Sequence, residues 1–226
     1  SQRSMTICYD ASDEDDMSFL MGIGCGGTIY ILLQPLTADN NYLQLPTICT
    51  ALESRQTCVF LQKITDHGEV AEAKVVGQDS DNFSAITQQL DSKKSRLMMV
   101  DDHTWLATTM KPPFHLLIVG GGVDARPLAS LAATLGWEIT LCDPRPANAR
   151  REHFMRVTTI LRCPPLQLTD EPLFNTFDAA IVMTHNLQLD ANAVAALQTS
   201  PIKYLALLGP IVRRGQVLEL ADLDKN

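Results

Sequence analysis

From residue 111 onward, short apolar runs alternate with longer amphipathic stretches. Four strands are predicted from the apolar runs, at residues 115–119, 138–142, 178–183 and 204–208. The stretches at 126–135 and 190–197 carry the helical period, and the first of these helices should begin near Ala125. Apolar strands that alternate with helices are typical of a parallel sheet covered on both faces. The pattern therefore predicts a Rossmann-like parallel-sheet domain.

The pattern before residue 111 is less regular. Strands are predicted at residues 6–10, 28–33, 57–64, 70–76, 97–100 and 104–109. Helices are predicted at residues 41–52, after Pro46, and at 83–90. The strand at 28–33 is β-branched and apolar, so it is expected to be buried. His67 and Gly68 are expected to form the hairpin turn between the third and fourth strands.

Lys111, Pro112 and Pro113 predict a stiff linker between two domains. The expected domains are residues 1–110, a smaller mixed α/β domain, and residues 111–226, the Rossmann-like domain. Residues 1–110 carry 7 Lys and Arg against 15 Asp and Glu, whereas residues 111–226 carry 11 against 11. An acidic chain lacks the basic field that nucleic-acid binding requires. Neither a membrane span nor a signal peptide is visible, so we expect a cytoplasmic protein.

A glycine-rich turn follows the first strand of the Rossmann-like domain. Gly120, Gly121 and Gly122 begin a G-x-G-x-x-A motif that leads into a helix. Such a turn lets backbone amides approach a phosphate at the helix N-terminus. Asp143 ends the next strand, where a ribose-binding acid is expected. A βαβ turn that binds nothing is the alternative.

Two charged residues lie in the mouth of this turn, Asp124 and Arg126. The carboxylate of Asp124 would face a bound pyrophosphate, which disfavours an ordinary dinucleotide. Arg126 could contact an anion.

Cys25 lies among glycines at positions 22, 24, 26 and 27. A loop without side chains would let a substrate reach the thiol, and nearby amides could stabilise a thiolate. A structural loop cysteine is the equally weighted alternative. The six cysteines form no Cys-x-x-Cys pair, so we expect neither a zinc site nor a disulfide framework.

Polar residues also follow the last two predicted strands. Thr184, His185 and Asn186 follow the third strand of the domain, and Gly209 follows the fourth. Residues at the carboxyl ends of parallel strands lie where ligands bind, and His185 could act as an acid or base there. A capping or packing histidine is the alternative. Arg213 and the next arginine could bind an anion or form a solvated helix face.

Together these motifs resemble the XdhC/CoxI family of xanthine dehydrogenase and carbon monoxide dehydrogenase accessory proteins. The matching segments are residues 22–27, 120–128, 135–137, 143–147, 183–186 with Asp190, and 204–210. The resemblance implies a chaperone for the molybdenum cofactor (molybdopterin), rather than an enzyme with its own turnover. Its implied partners are a cysteine desulfurase and a xanthine dehydrogenase-type or carbon monoxide dehydrogenase-type hydroxylase.

The resemblance also implies roles for individual residues. The phosphate of the pterin would lie at the Gly120 turn with Arg126 or Arg145, and Cys25 would contact the sulfur or the molybdenum. The implied cofactor-binding residues are Gly120, Gly121, Gly122, Asp124, Arg126, Asp143, Arg145, Thr184, His185, Asn186 and Gly209.

Two features depart from the family. The usual Gly-Ser-Ser-Pro and Ser-Gly-Gly-Cys-Leu-Glu motifs have no match here, so a second expected cysteine is missing. Gln34 stands where Glu is expected. An NAD(P)-dependent oxidoreductase is the rival hypothesis, and a module that only bridges desulfurase and hydroxylase is the third. The apolar residues 29–33 could pair across a homodimer.

Overall fold

A computed structural model describes residues 5–10, 28–65, 70–81, 83–90, 95–100 and 102–223. The chain divides into two compact units, Ser1–Pro112 and Pro113–Asn226. Among the helices of the described residues, none is long and apolar enough to cross a membrane.

The first unit has an antiparallel sheet of four strands in the order β4-β3-β6-β5, and a separate ribbon in which β1 pairs with β2. Its strands are β1 Met5–Asp10, β2 Thr28–Leu33, β3 Cys58–Ile64, β4 Val70–Gly77, β5 Ser95–Val100 and β6 His103–Met110. Its helices are α1 Leu45–Glu53, which follows a 3-10 turn at Asn41–Gln44, and α2 Phe83–Leu90.

Two small cores form on the four-stranded sheet because successive side chains of a strand point to opposite faces. Cys58 and Phe60 of β3 pack with Ile48 of α1. Val59, between them in the sequence, packs with Leu90 of α2. Each helix of this unit therefore contributes to a different core.

The prediction that residues 28–33 form a strand is confirmed, but the prediction that this strand is buried is wrong. Tyr30 is 72% exposed and Leu33 is 46% exposed. In the described part of the chain, β2 pairs only with β1 and belongs to a two-stranded ribbon. Its β-branched residues favour extended backbone regardless of burial.

The second unit has a five-stranded sheet in the order β11-β10-β7-β8-β9, and every neighbouring pair is parallel. Its strands are β7 His115–Val119, β8 Glu138–Cys142, β9 Thr159–Leu161, β10 Ala179–Val182 and β11 Tyr204–Leu207. Its helices are α3 Ala125–Thr134, α4 Leu187–Leu197 and α5 Ile211–Leu220, with 3-10 turns at Arg151–His153, Pro165–Asp170 and Phe174–Thr176. The order is that of the Rossmann fold, so the direction in which successive strands are added reverses between β7 and β10.

The central strand β7 is apolar throughout because both of its faces are covered. Leu116 and Ile118 pack with Ala129 of α3 in one core. Leu117 packs with Val194 of α4 in the other. The predicted fold class and the predicted parallel strands are confirmed. The short strand β9 and the helix α5 were not predicted.

Candidate functional site

The loop after β7 and the end of β10 meet at the point where the strand order reverses. Gly120 has a φ of +115°, a conformation that side-chain-bearing residues rarely adopt. A Cβ atom there would lie 2.6 Å from the carbonyl carbon and oxygen of Met183 and 2.7 Å from the amide nitrogen of Thr184. Glycine therefore permits a direct backbone contact between two strand ends.

Asp143, at the end of β8, holds this glycine loop from the other side. Its carboxylate is buried and accepts a hydrogen bond from the Gly121 amide at 2.8 Å. Asn148 donates to the same oxygen at 3.2 Å. The guanidinium of Arg145 donates to both carboxylate oxygens, at 2.9 and 2.7 Å. Both oxygens are thus already engaged, and the ribose-binding role of Asp143 stays a prediction.

These contacts also set the charge state of the pair. Burial alone would raise the pKa of Asp143, but hydrogen bonds from Arg145 and the Gly121 amide bring the pKa below its usual value. The same ion pair raises the pKa of Arg145. Arg145 also donates to the carbonyl oxygen of Thr184 at 3.1 Å. One guanidinium therefore links the ends of β8 and β10.

A second ion pair with a buried carboxylate lies beside Thr184. Asp190 in the first turn of α4 accepts from the Thr184 amide at 3.1 Å and from its hydroxyl at 2.5 Å. Arg213 of α5 donates to the other oxygen of Asp190 at 2.5 Å. A Cβ at Gly209 would lie 2.7 Å from Cδ of Arg213, so Gly209 leaves room for this side chain. The guanidinium of Arg213 is therefore paired with Asp190 and largely buried rather than part of a solvated helix face.

His185 and Asp124 form an exposed pair at the mouth of the glycine loop. His185 Nε2 lies 2.7 Å from the Asp124 carboxylate, and the two side chains are 62% and 40% exposed. His185 has a φ of +60°. Since a carboxylate accepts hydrogen bonds, the imidazole donates through Nε2 and leaves Nδ1 for a ligand. A histidine oriented by a carboxylate is suited to proton transfer.

The structure brings most of the predicted site residues together. Gly120, Gly121, Asp143, Arg145 and Thr184 form one network through the contacts given above. Gly122 lies beside the His185–Asp124 pair, because a Cβ there would be 2.7 Å from Asp124 Oδ1 and 3.8 Å from His185 Cδ2.

Two further predicted residues, Asn186 and Arg126, lie at the margin of this network. Asn186 caps α4 by accepting from the Leu189 amide at 3.0 Å. Arg126 turns to His153, with Nη2 2.9 Å from Nδ1. Cys25 lies outside the described residues. Within the described ranges there is no group of three or more His, Cys, Asp or Glu side chains that could hold a metal ion.

A cavity of about 830 Å³ lies elsewhere, in the first unit. Met98, Trp105 and Lys63 are among the residues that line it. Lys74, which also lines it, lies 5.2 Å from the ring centre of Trp105. No sequence motif marks these residues, because cross-strand pairing alone brings them together.

Comparison with known proteins gives three findings. Residues 116–224 match the model of the XdhC Rossmann domain family. The chain is 29% identical over 221 residues, 95% of its length, to a probable xanthine dehydrogenase subunit of Bacillus subtilis (strain 168), and it covers 66% of that protein. A crystal structure of a xanthine dehydrogenase from Bacillus halodurans matches with a TM-score of 0.73 and 24% identity, over 96% of this chain and 65% of that one. The chain thus spans about two thirds of the length of either relative.

Proposed function

Since its second unit belongs to the XdhC Rossmann domain family, we propose that this chain is an accessory protein that binds the molybdenum cofactor. In this proposal it assists the sulfuration of the cofactor by a cysteine desulfurase. It then inserts the cofactor into a molybdenum hydroxylase of the xanthine dehydrogenase type. The cofactor is cargo, so the chain needs to hold and release it rather than turn it over.

The observation that carries the proposal is the connected network at the strand ends. Ion pairs with buried carboxylates fix the ends of β8 and β10 and the start of α5 relative to the glycine loop. Ligands of open α/β sheets bind at the carboxyl ends of the strands where the strand order reverses. A site with fixed walls loses little conformational entropy when a rigid pterin binds.

Two features favour this cargo over a dinucleotide. A dinucleotide needs a free carboxylate for the ribose, but both oxygens of Asp143 already accept hydrogen bonds from protein donors. It also needs a pyrophosphate at the glycine turn, where Asp124 places a negative charge beside Gly122. Both features weigh against the NAD(P)-dependent oxidoreductase.

Purified chain incubated anaerobically with molybdopterin should retain it through gel filtration, whereas NAD should elute separately. A ligand at 100 times its Kd adds about 2.7 kcal/mol of stability, which a thermal-shift measurement detects. Cys25→Ser should lower retention if this thiol contacts the cofactor. Cys49→Ser is the matched control, because Cys49 is a free cysteine and is exposed. Retention of NAD alone would support the oxidoreductase, and retention of neither ligand would support the bridging module.

His185→Ala should reduce molybdopterin retention about tenfold or more, because it removes a directed hydrogen-bonding group at the mouth of the site. The unfolding free energy should change by less than about 1 kcal/mol, since the pair is largely exposed. Asp124→Asn keeps an oxygen acceptor for Nε2 and should lose less retention. Unchanged retention in His185→Ala would mean that the pair only fastens two loops together.

A further inference from the structure

The second unit has a pocket of about 500 Å³ on the segment that follows β8. Three arginines line it, Arg150, Arg151 and Arg162, together with Glu152 and His153. The lining thus has three guanidinium groups against one carboxylate, in a chain whose net charge is −8. We refer to it as the arginine pocket. A concentration of arginine in an acidic protein favours an anionic ligand.

The backbone holds two of these guanidinium groups in place. Arg162 donates from Nε and Nη2 to the carbonyl oxygen of Ala149, at 3.2 and 3.0 Å. Arg151 donates from Nη1 to the carbonyl oxygen of Val157. Each group keeps further N–H donors, since a guanidinium has five. Arg150 is exposed and makes no side-chain hydrogen bond within the described part of the chain.

His153 adds an imidazole N–H donor to the same pocket. Arg126 Nη2 lies 2.9 Å from His153 Nδ1. A guanidinium can only donate, so in this hydrogen bond Nδ1 accepts and Nε2 carries the N–H of the ring. Arg126 thereby brings a fourth positive charge next to the pocket. Its Nε is buried without a hydrogen-bond partner among the described residues.

Two amides of the glycine loop are already engaged within the protein. The Gly120 amide donates to the carbonyl oxygen of Cys142 at 2.8 Å, and the Gly121 amide donates to Asp143. The arginine pocket adjoins this loop through the segment after β8. A Cβ at Gly121 would lie 2.5 Å from the carbonyl oxygen of Asn148, the residue before Ala149 of the pocket.

We propose that the arginine pocket binds the phosphate group of the cofactor, while the strand ends hold the remainder. This assignment rests on the proposed function for the identity of the cofactor. Arginine pairs with phosphate oxygens through two parallel hydrogen bonds, and Arg150 is the residue with the most donors available. The glycine loop then serves to pack strand ends rather than to cradle a phosphate.

Titration of the full chain with inorganic phosphate and pyrophosphate, followed by calorimetry, tests this assignment. Arg150→Gln should raise the Kd of pyrophosphate about tenfold, because it removes one charge-assisted phosphate contact. Arg214→Gln is the matched control, since Arg214 is an exposed arginine of α5 in the same unit. This control removes one positive charge at a position outside the pocket. The Kd of pyrophosphate for Arg214→Gln should stay within about twofold of the value for the unmodified chain.

Competition with the cofactor completes the test. Pyrophosphate should displace molybdopterin from the unmodified chain, and Arg150→Gln should weaken molybdopterin retention as well. Equal effects of Arg150→Gln and Arg214→Gln would overturn the assignment, as would pyrophosphate binding without displacement. If molybdopterin binds and its retention does not depend on Arg150, the proposed function stands and the pocket assignment fails. If pyrophosphate binds through Arg150 but molybdopterin does not bind at all, the proposed function fails and the pocket serves another phosphate ligand.

Discussion

Asp143→Ala should lower the unfolding free energy of the second unit by about 2–4 kcal/mol. The substitution leaves the Gly121 amide without its acceptor and Arg145 without its counter-charge. The loss should be smaller than for a fully buried ion pair, because the Arg145 side chain is 38% exposed and water can solvate it. The effect is expected in the second unit because every partner of the carboxylate lies there.

The two tryptophans make this measurement specific, since Trp105 lies in the first unit and Trp137 in the second. Urea unfolding monitored by fluorescence in a Trp105→Phe background reports on the second unit alone. Asp170→Ala, at an exposed aspartate of the same unit, should change the free energy by less than about 0.5 kcal/mol. If the two variants unfold at the same urea concentration, the carboxylate of Asp143 does not stabilise the glycine loop.

The same carboxylate predicts the sign of an acid effect. Its folded-state pKa lies below the usual value, so its contribution to stability is complete above the unfolded-state pKa of about 3.9. The contribution falls as the pH drops below about 4, through the folded-state pKa. Asp143→Ala should therefore flatten the stability curve in that range, and an unchanged curve would mean that another carboxylate controls acid unfolding.

Much of the second unit could be predicted because its signals are local. The apolar run of β7 after two prolines, followed by three glycines, predicts a strand, a turn and a helix, and α3 begins at Ala125 as expected. By contrast, β9 has only three residues, too few for a pattern. Helix α5 contains Gly215, and Ile211 at its start is 87% exposed, so its helical period is weak.

The sequence indicates several of the residues that the structure brings together at the strand ends, but it does not indicate their contacts. The position of Asp143 at the end of a strand predicts a ribose-binding acid. Its pairing with Arg145, two residues away, is local, but its bond to the Gly121 amide spans 22 residues and depends on how closely the loops pack. The pairing of Asp190 with Arg213 spans 23 residues and needs the room at Gly209. An acidic residue in the first turn of α4 was the available signal for Asp190.

Gly120→Ala should destabilise the second unit by at least about 3 kcal/mol. Two costs add at this position. The backbone has a φ of +115°, which is strained for alanine, and the new Cβ would lie 2.6 Å from the Met183 carbonyl. Backbone atoms of a buried strand end cannot move aside as a flexible side chain would, so the glycine loop must separate from β10. Urea unfolding monitored through Trp137 measures the loss.

Gly215→Ala provides a control with the opposite sign. Gly215 lies inside α5, its φ is not positive, and a Cβ there would meet no atom within 4 Å. Alanine should therefore stabilise the unit by about 0.5–1 kcal/mol through helix propensity. An added methyl group is thus expected to stabilise the second unit at position 215 and to destabilise it at position 120. Gly120→Ala could instead unfold at the same urea concentration as the unmodified chain. In that case the close approach of Gly120 to Met183 does not require glycine, and the loop is free to receive a ligand at that point.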